Sequence, residues 1–562
     1  MDTGLTGDER TTLEADSAVE PEVLGQPGPG RLLGQWCRRH PRTTWAAALA
    51  LAALALFLCY LRGAQTQVLD SDPAGQVLQA WQIWHGNPLL HGWWLGDVTF
   101  YTVELPLYVV IQMIVGLRPG QVHIAAAIVY TAVVLLAALL ARGRARGWEG
   151  IVRALLAAGI MLAPSALGLG ALVLEPDHIG TMIPVLLALL VVDRAPQRWW
   201  VAVVVAVLLT WAQVNDPQAT VSAGAAVAAV CGVRACAEVA RRQRPRGDRW
   251  YDVSLVAAAL ISIGAAHVIV SGIHSAGGFY MPQPKNGLGF VSISAMPAQS
   301  WAAIYCVLIL FGADFIGQPM GISALFALLH LVGAALGLWA LGIGLRGFFT
   351  RMDRVNQVAV AGTIFILGAG SFGYYMSPVP SGAHEIVPVL PFCAVLAGRL
   401  LGGRLVALRL EPVLAAGLAV MLAALAYAGI QPKAAPAHMG LATWLQAHHL
   451  TSGLASYWYA NITTLSTQGR VRLVAVVKGG TTAEPYESYA GWYNPARYRA
   501  DFIVSYDKKV GSSPVEPSVV WARYGRPARV YHYEGFTIMM YNYNLLTRVT
   551  VPAGPWPGYR PG

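Results

Sequence analysis

The chain predicts a polytopic α-helical membrane protein of about 11 spanning helices with a C-terminal extracytoplasmic α/β domain, on three observations. Hydrophobic residues make up 56% of the 562 positions, charged residues only 12%, and the mean hydropathy is +0.50. Soluble proteins carry about 25% charged residues. Apolar runs recur from about residue 44 to 430 and then cease. The breaks between the runs alternate in chemistry. Arginine-rich breaks fall at 38–42, 142–146, 193–198, 241–249, 346–354 and 399–409. The intervening breaks carry Asp70, Asp72, Asp97, Glu104, Glu175, Asp177, His178, Asp216, His384 and Glu385. Basic loops resist translocation and stay cytoplasmic, so the carboxylates collect on the outer face of a multi-pass plasma-membrane protein.

Residues 1–43 are acidic at the start and rich in Gly and Pro, and read as a disordered cytoplasmic tail. A spanning helix needs roughly 20 apolar residues. The membrane part, 44–430, offers eleven such segments, at about 44–62, 122–141, 152–173, 178–192, 199–214, 219–236, 253–271, 322–345, 356–375, 385–401 and 411–430. They cross alternately outward and inward from an inside N-terminus. Glu104–Leu117 and Trp301–Gly312 are too short, and crossing there breaks the alternation. Both are predicted as re-entrant or interfacial helices on the outer side. The large first outer loop, 63–121, opens on Asp70-Ser71-Asp72-Pro73. That pattern reads as a helix start with Asp72 as N-cap and Pro73 in the first helical position. Val77, Leu78, Trp81 and Trp84 follow at helical spacing. They predict an amphipathic helix lying at headgroup level.

Residues 431–562 change character, with Tyr, Trp and turn residues replacing the apolar runs. Met439–His449 has helical spacing, and Gly453–Tyr457, Arg470–Val477, Asp501–Tyr506 and Val530–Tyr541 read as strands, the last with a turn at Glu534-Gly535. The region holds 13 Lys+Arg against 6 Asp+Glu, a charge of about +7, and no cysteine. Long outer domains translocate despite such charge. The six cysteines of the chain lie in or beside apolar segments, with neither metal spacing nor a disulfide framework. The net charge of +10 sits in short loops beside apolar spans, which points to lipid headgroups rather than nucleic acid. There is no P-loop, HExxH, nucleophile elbow or CxxC, and no charge in the middle of a predicted span.

Chemistry therefore concentrates on carboxylates at the outer membrane boundary. Asp70 and Asp72 follow the first span, and Glu175-Pro176-Asp177-His178 follows the third. An ionised group at that depth loses solvation and needs a partner, a metal or a substrate. The plain alternative is helix capping, which also suits His384-Glu385 ahead of the tenth span. Asp70 is surplus to a cap at Asp72, which makes it the stronger candidate for chemistry. Lys285 is the only lysine between residues 44 and 430, and with His274 it suits a phosphate. Asn215-Asp216-Pro217 reads as an ordinary turn and cap.

This arrangement resembles the GT-C superfamily of membrane glycosyltransferases, which includes protein mannosyltransferases, aminoarabinose transferases and actinobacterial arabinofuranosyl- and mannosyltransferases. The likeness covers most of the chain. It rests on the inside N-terminus, the acidic pair after the first span, the large first outer loop, a second acidic site and a C-terminal outer domain. It implies an inverting hexosyl- or pentosyltransferase that takes sugar from a polyprenyl-phosphate donor to a glycan, lipid or protein acceptor of the cell envelope. By that likeness Asp70, with Asp72 beside it, matches the catalytic carboxylate. Glu175, Asp177 and His178 match a second acidic motif that positions the acceptor or, through Glu175 and Asp177, holds a divalent metal such as Mg or Mn. Lys285, His384 and Glu385 join them as substrate-binding candidates. Two other classes stay open: a lipid or polysaccharide transporter or flippase, and a noncatalytic envelope assembly protein that stacks Tyr and Trp on glycan. The threading is tested by reporter fusions after Ile430 and at Arg246. Opposite compartments are expected, with Ile430 outside, and two cytoplasmic signals overturn the alternation.

Overall fold

The computed structural model describes residues 41–174, 178–241, 246–281, 289–350, 352–376, 382–507 and 514–552. The chain forms two compact units, Met1–Leu54 and Ala55–Gly562, and every contact given below lies within the second. The described part of the first unit is the beginning of helix α1 (Pro41–Ala64).

All eleven apolar segments are helical. After α1 come α2 (Ser71–Trp84), α3 (Glu104–Val115), α4 (Gly120–Arg142), α5 (Gly147–Met161), α6 (Ala166–Leu169), α7 (Met182–Arg194), α8 (Trp199–Asn215) and α9 (Ala226–Arg241). Then follow α10 (Arg246–Ser275), α11 (Met296–Leu310), α12 (Ile322–Gly347), α13 (Arg354–Met376), α14 (Val389–Ala407) and α15 (Glu411–Ile430). Among the described residues eight helices are long and apolar enough to cross a membrane, or nine if a bent pair counts as one span. The bent pair is the predicted third span. It breaks by 97° between Met161 and Ala166. Pro164 cannot continue a helix, and Ser165 restarts one by accepting from Gly168 N at 3.0 Å. The predicted fourth and fifth spans, α7 and α8, hold 13 and 17 residues, short of a full crossing by themselves. The two segments read as re-entrant or interfacial are indeed short helices, α3 and α11. Helix α14 is the axis of the bundle. Its run from Val389 to Gly398 is buried on every side, and Ala141, Ala157 and Gly398 let its neighbours approach closely.

Beyond Ile430 the chain builds a six-stranded sheet in the order β4-β3-β2-β6-β8-β7. Strands β2 (Ser452–Ala455), β3 (Arg472–Val477) and β6 (Phe502–Tyr506) pair in parallel, and β2 joins β3 through helix α17 (Tyr457–Ser466). Strands β4 (Thr482–Ala483), β7 (Arg529–Tyr533) and β8 (Phe536–Met540) pair antiparallel. The predicted turn at Glu534-Gly535 is the β7–β8 hairpin, with φ of 47° and 80°. Strand side chains alternate between two cores, as period 2 requires. Val474, Val476, Ile503 and Met539 pack beneath helix α18 (Pro517–Tyr524). Leu473, Ala475, Phe502 and Val504 pack beneath α16 (Met439–Ala447) and α17. The predicted strand 453–457 stops at Ala455, because Tyr457 already begins α17.

This sheet region is bound to the first loop of the membrane part. Strand β1 (Trp93–Trp94) pairs antiparallel with β5 (Ser488–Tyr489). Trp93 is fully buried against Tyr489 and Trp492. Helix α2 lies between α17 and α3, and every residue from Ser71 to Ala80 except Asp72 is buried. Along Ser71–Ala80 it is therefore held by protein, while Trp81 is half-buried and Trp84 exposed beyond that stretch. Protein covers both faces, and the second cover comes from residues some 380 positions away. Gly75 is the closest point of this seam: a Cβ there meets Glu487 Oε2 at 2.6 Å and Asn461 Nδ2 at 3.1 Å. Gly75→Ala is expected to destabilise the fold by about 1–3 kcal/mol through overpacking. A thermal midpoint in detergent equal to wild type shows the seam to be slack.

Candidate active site

Asp70 and Asp72 enter the seam together, with their capping roles exchanged relative to the sequence reading. Asp70 is the N-cap of α2: its backbone is extended and its Oδ1 accepts from Asp72 N at 3.2 Å. Asp72 and Pro73 are the second and third residues of the helix. A cap two residues earlier leaves the Asp72 side chain free to meet another element. It meets Tyr457 at the start of α17, whose hydroxyl lies 2.5 Å from Asp72 Oδ1 and 2.8 Å from Glu487 Oε2. A hydroxyl has one proton to donate. It serves both carboxyl groups only if one of them is protonated and donates to the phenol oxygen. Burial raises the Asp72 pKa, which favours that protonated form, although the Tyr457 bond opposes the rise. Burial also raises Asp70, and the neighbouring charge of Asp72 adds to it, carrying Asp70 from the usual 3.8 to about 6.

A second cluster forms where three chain breaks converge. His178, ahead of α7, is buried and places Nδ1 2.9 Å from Asp216 Oδ2, at the end of α8. The other oxygen of Asp216 accepts from Gln218 N at 2.8 Å, so the predicted cap is real and one carboxylate does two jobs. His178 Nε2 faces Glu385 Oε2 at 3.6 Å, and the rings of His178 and His384 stack at 5.8 Å. With Asp216 taking the proton of Nδ1, Nε2 presents either a lone pair or a second proton to a carboxylate. A proton, a cation or a bridging water between them satisfies both atoms. His178, His384 and Glu385 each offer a ligand atom, and these atoms lie within 4.8 Å of one another. Two short π-helical turns, Gly170–Leu174 and Thr220–Ala225, flank the cluster, as such bulges often do at functional sites.

A buried polar chain extends from Asp216 to the first loop. Asn215 Nδ2 donates to Glu104 Oε2 at 2.7 Å, and its Oδ1 accepts from Val103 N at 2.9 Å and Thr102 N at 3.1 Å. This clamp fixes the loop that carries Asp97. Asp97 is exposed, yet it lies close enough to act electrostatically on Asp72, His384 and Glu385. It therefore ties the two clusters into one site.

Of the residues singled out in the sequence, Asp70 and Asp72 form one wall, and His178, His384 and Glu385 the other. Glu175, Asp177 and Lys285 lie outside the described residues. Asp97, Asp216, Tyr457 and Glu487 complete the site without a motif of their own. Only Asp97 and Asp216 left a signal, as carboxylates in breaks of the outer set; Tyr457 and Glu487 sit among many similar residues of the last region.

These features define a class: a bundle of apolar helices, eight of them among the described residues long enough to cross a membrane, with a strand-containing C-terminal region against its first loop. Among solved structures the chain is similar to ArnT from Cupriavidus metallidurans bound to undecaprenyl phosphate, with a TM-score of 0.51 at 13% identity over 89% of this chain and 98% of that one. It is similar to the apo state of the same protein with a TM-score of 0.50 at 15% identity, over 88% and 98%. No family model and no curated protein matches the sequence.

Proposed function

We propose that the chain is a glycosyltransferase that moves a sugar from a polyprenyl-phosphate donor to a cell-envelope acceptor at the outer membrane face. One observation carries this reading. Asp70, a half-buried carboxyl poised near pH 6, shares a site at the end of α1 with the His178–Glu385 cluster, in a fold shared with a protein crystallised with undecaprenyl phosphate. Asp70 is the general base. A base of that pKa is ionised at neutral pH yet holds a proton better than an ordinary carboxylate. The acceptor hydroxyl gives its proton to Asp70, its oxygen bonds to the anomeric carbon, and the bond from that carbon to phosphate oxygen breaks. The sugar inverts and polyprenyl phosphate leaves with the electron pair.

The leaving phosphate needs cations. Residues 434–437 run alongside 65–69, through Ala434 N to Gln65 O at 2.9 Å and Ala437 N to Leu69 O at 2.8 Å. This places Arg62 and Lys433 on the strip that leads to Asp70. Arg62 Nη2 donates to Gln431 O at 2.8 Å, and Lys433 is exposed. These two cations hold the phosphate, and Lys285 remains a candidate beside them. Asp72 and Asp97 orient the acceptor hydroxyl groups, and Tyr457 keeps Asp72 in place.

His178, His384 and Glu385 are fit to hold a divalent metal. Two imidazoles and one carboxylate suit a zinc-class ion better than Mg or Mn, which prefer oxygen. Asp216 fixes the His178 ring as a carboxylate behind a ligating histidine does. When bound, such an ion supplies positive charge to substrate oxygens.

Asp70→Asn is expected to lower transfer of radiolabelled sugar from polyprenyl phosphate by about 10²–10⁴-fold. Its thermal midpoint at neutral pH should not fall, because Asn caps a helix as well as Asp and carries no buried charge. The sign follows from linkage: a carboxyl raised from 3.8 to about 6 lowers stability as pH rises through that window, fully above it and not below it. Wild-type transfer should rise with pH through about 6. Unchanged transfer in Asp70→Asn rejects the base. Failure of wild type to consume labelled donor with any envelope acceptor rejects the enzyme.

For the metal, protein equilibrated with zinc and then desalted should retain about one ion per chain by elemental analysis. His178→Ala and Glu385→Ala should lose it, and Asp216→Asn should weaken it by about 10–100-fold. Equal zinc in wild type and His178→Ala removes the ion from the site.

A further inference from the structure

The opposite end of the bundle holds a cavity of about 610 Å³ that the sugar chemistry does not use. It lies at the arginine-bearing ends of the helices. Helix α14 carries Glu385 just ahead of its start and Arg399 toward its far end, about 20 Å away at 1.5 Å per residue. Helix α7 likewise leads from His178, just ahead of its start, to Asp193 near its end. Five arginines line the cavity, Arg144, Arg153, Arg234, Arg354 and Arg399, each from a different helix or connection.

The arginines are not equally engaged. Arg234 and Arg354 share the fully buried Asp252, at 3.4 and 2.5 Å. Arg399 reaches Asp193 at 2.9 Å and Asp353 at 3.3 Å. Arg153 reaches Glu149 at 2.5 Å. Among the described residues Arg144 meets no carboxylate, and only its Nε is bonded, to the backbone oxygen of Asp193 at 2.7 Å. The Nε atoms of Arg153 and Arg399 are buried with no hydrogen-bond acceptor among the described residues, and the Arg399 side chain is only 8% exposed. Five guanidinium groups against Asp193, Asp252, Asp353 and Glu149 leave a net +1. Buried donors without acceptors, and one uncompensated charge, call for a small anion.

We propose that this cavity binds a phosphate group at headgroup depth, held by Arg144 and Arg153 against the fixed guanidinium of Arg399. Guanidinium forks match phosphate oxygens in pairs. A phosphodiester with one negative charge balances the cavity, which is the charge of an anionic phospholipid headgroup; a free phosphate ion offers the same oxygens. The site is independent of the sugar-transfer reading. It binds at the arginine end whether or not the other end catalyses anything.

The test uses the full chain, purified in neutral detergent and stripped of lipid, with its thermal midpoint followed during titration. The probes are phosphatidylglycerol in mixed micelles, phosphatidylcholine in the same micelles, and inorganic phosphate. Phosphatidylglycerol is expected to raise the wild-type midpoint saturably, and phosphatidylcholine not to. In Arg144→Gln with Arg153→Gln the apparent affinity should fall about tenfold or more, from the loss of charge-assisted bonds. The exposed Arg346→Gln at the end of α12 should bind as wild type does. If the double variant does not fold, Arg144→Gln alone serves, since Arg144 is in no ion pair among the described residues. A saturable rise with inorganic phosphate that depends on the same arginines assigns the site to the free ion and still supports a phosphate site. No saturable rise with any probe overturns the proposal, and so does a lipid effect of equal strength in wild type and Arg144→Gln.

Discussion

The phenol of Tyr457, set between Asp72 and Glu487, is the contact on which the candidate site depends. Two carboxyl groups meeting at one hydroxyl, half-buried Asp72 and buried Glu487, repel each other as anions, and loss of solvent penalises each charge further. The hydroxyl makes the arrangement tolerable by leaving room for only one full negative charge. It also joins three segments distant in sequence: the start of α2, the start of α17 and the turn before β5. Gly75 beneath it admits Glu487, and the Trp93–Tyr489 pairing closes the seam alongside. Asp70, one residue outside the helix, takes its raised pKa first from its own loss of solvent and then from the charge of Asp72.

The other wall obeys the same constraint by different means. Asp216 divides its two oxygens between a helix cap and His178, so the imidazole is oriented without a further buried group. Asn215 next to it spends its amide on Glu104 and its carbonyl on the Thr102–Val103 backbone. A turn that looks like simple punctuation therefore sets the position of both a histidine and the loop bearing Asp97. The broken third span and the π-helical turns bring these breaks to one depth. Regular helices end their polar residues at separate heights. A 97° bend and two bulges remove that offset.

Charge is handled in opposite ways at the two ends of α14. At one end carboxylates outnumber cations, and burial raises the pKa of Asp70, Asp72 and Glu385. At the other, arginines outnumber carboxylates by one around a cavity. Arginine keeps its proton at any accessible pH. That end must be neutralised from outside the chain, whereas the carboxylate end adjusts by titration.

Composition and the alternation of breaks determined the membrane class, the helical character of all eleven apolar segments and the change of architecture after Ile430. These follow from local physics: apolar length and strand alternation are properties of consecutive residues. The sequence also picked out Asp70, Asp72, His178, His384 and Glu385, because ionisable groups beside apolar spans are rare. It misassigned the α2 cap, since Asp70 and Asp72 both satisfy the local rule and only the position of Tyr457, 385 residues away, favours one over the other. It placed α2 on lipid, because an apolar face looks the same whether lipid or a remote helix covers it. Asp97 and Asp216 were legible only as outer-face carboxylates, and that they join Tyr457 and Glu487 in the site was decided by the tertiary structure. Their roles come from distances between breaks, and no periodicity along the chain records which breaks meet.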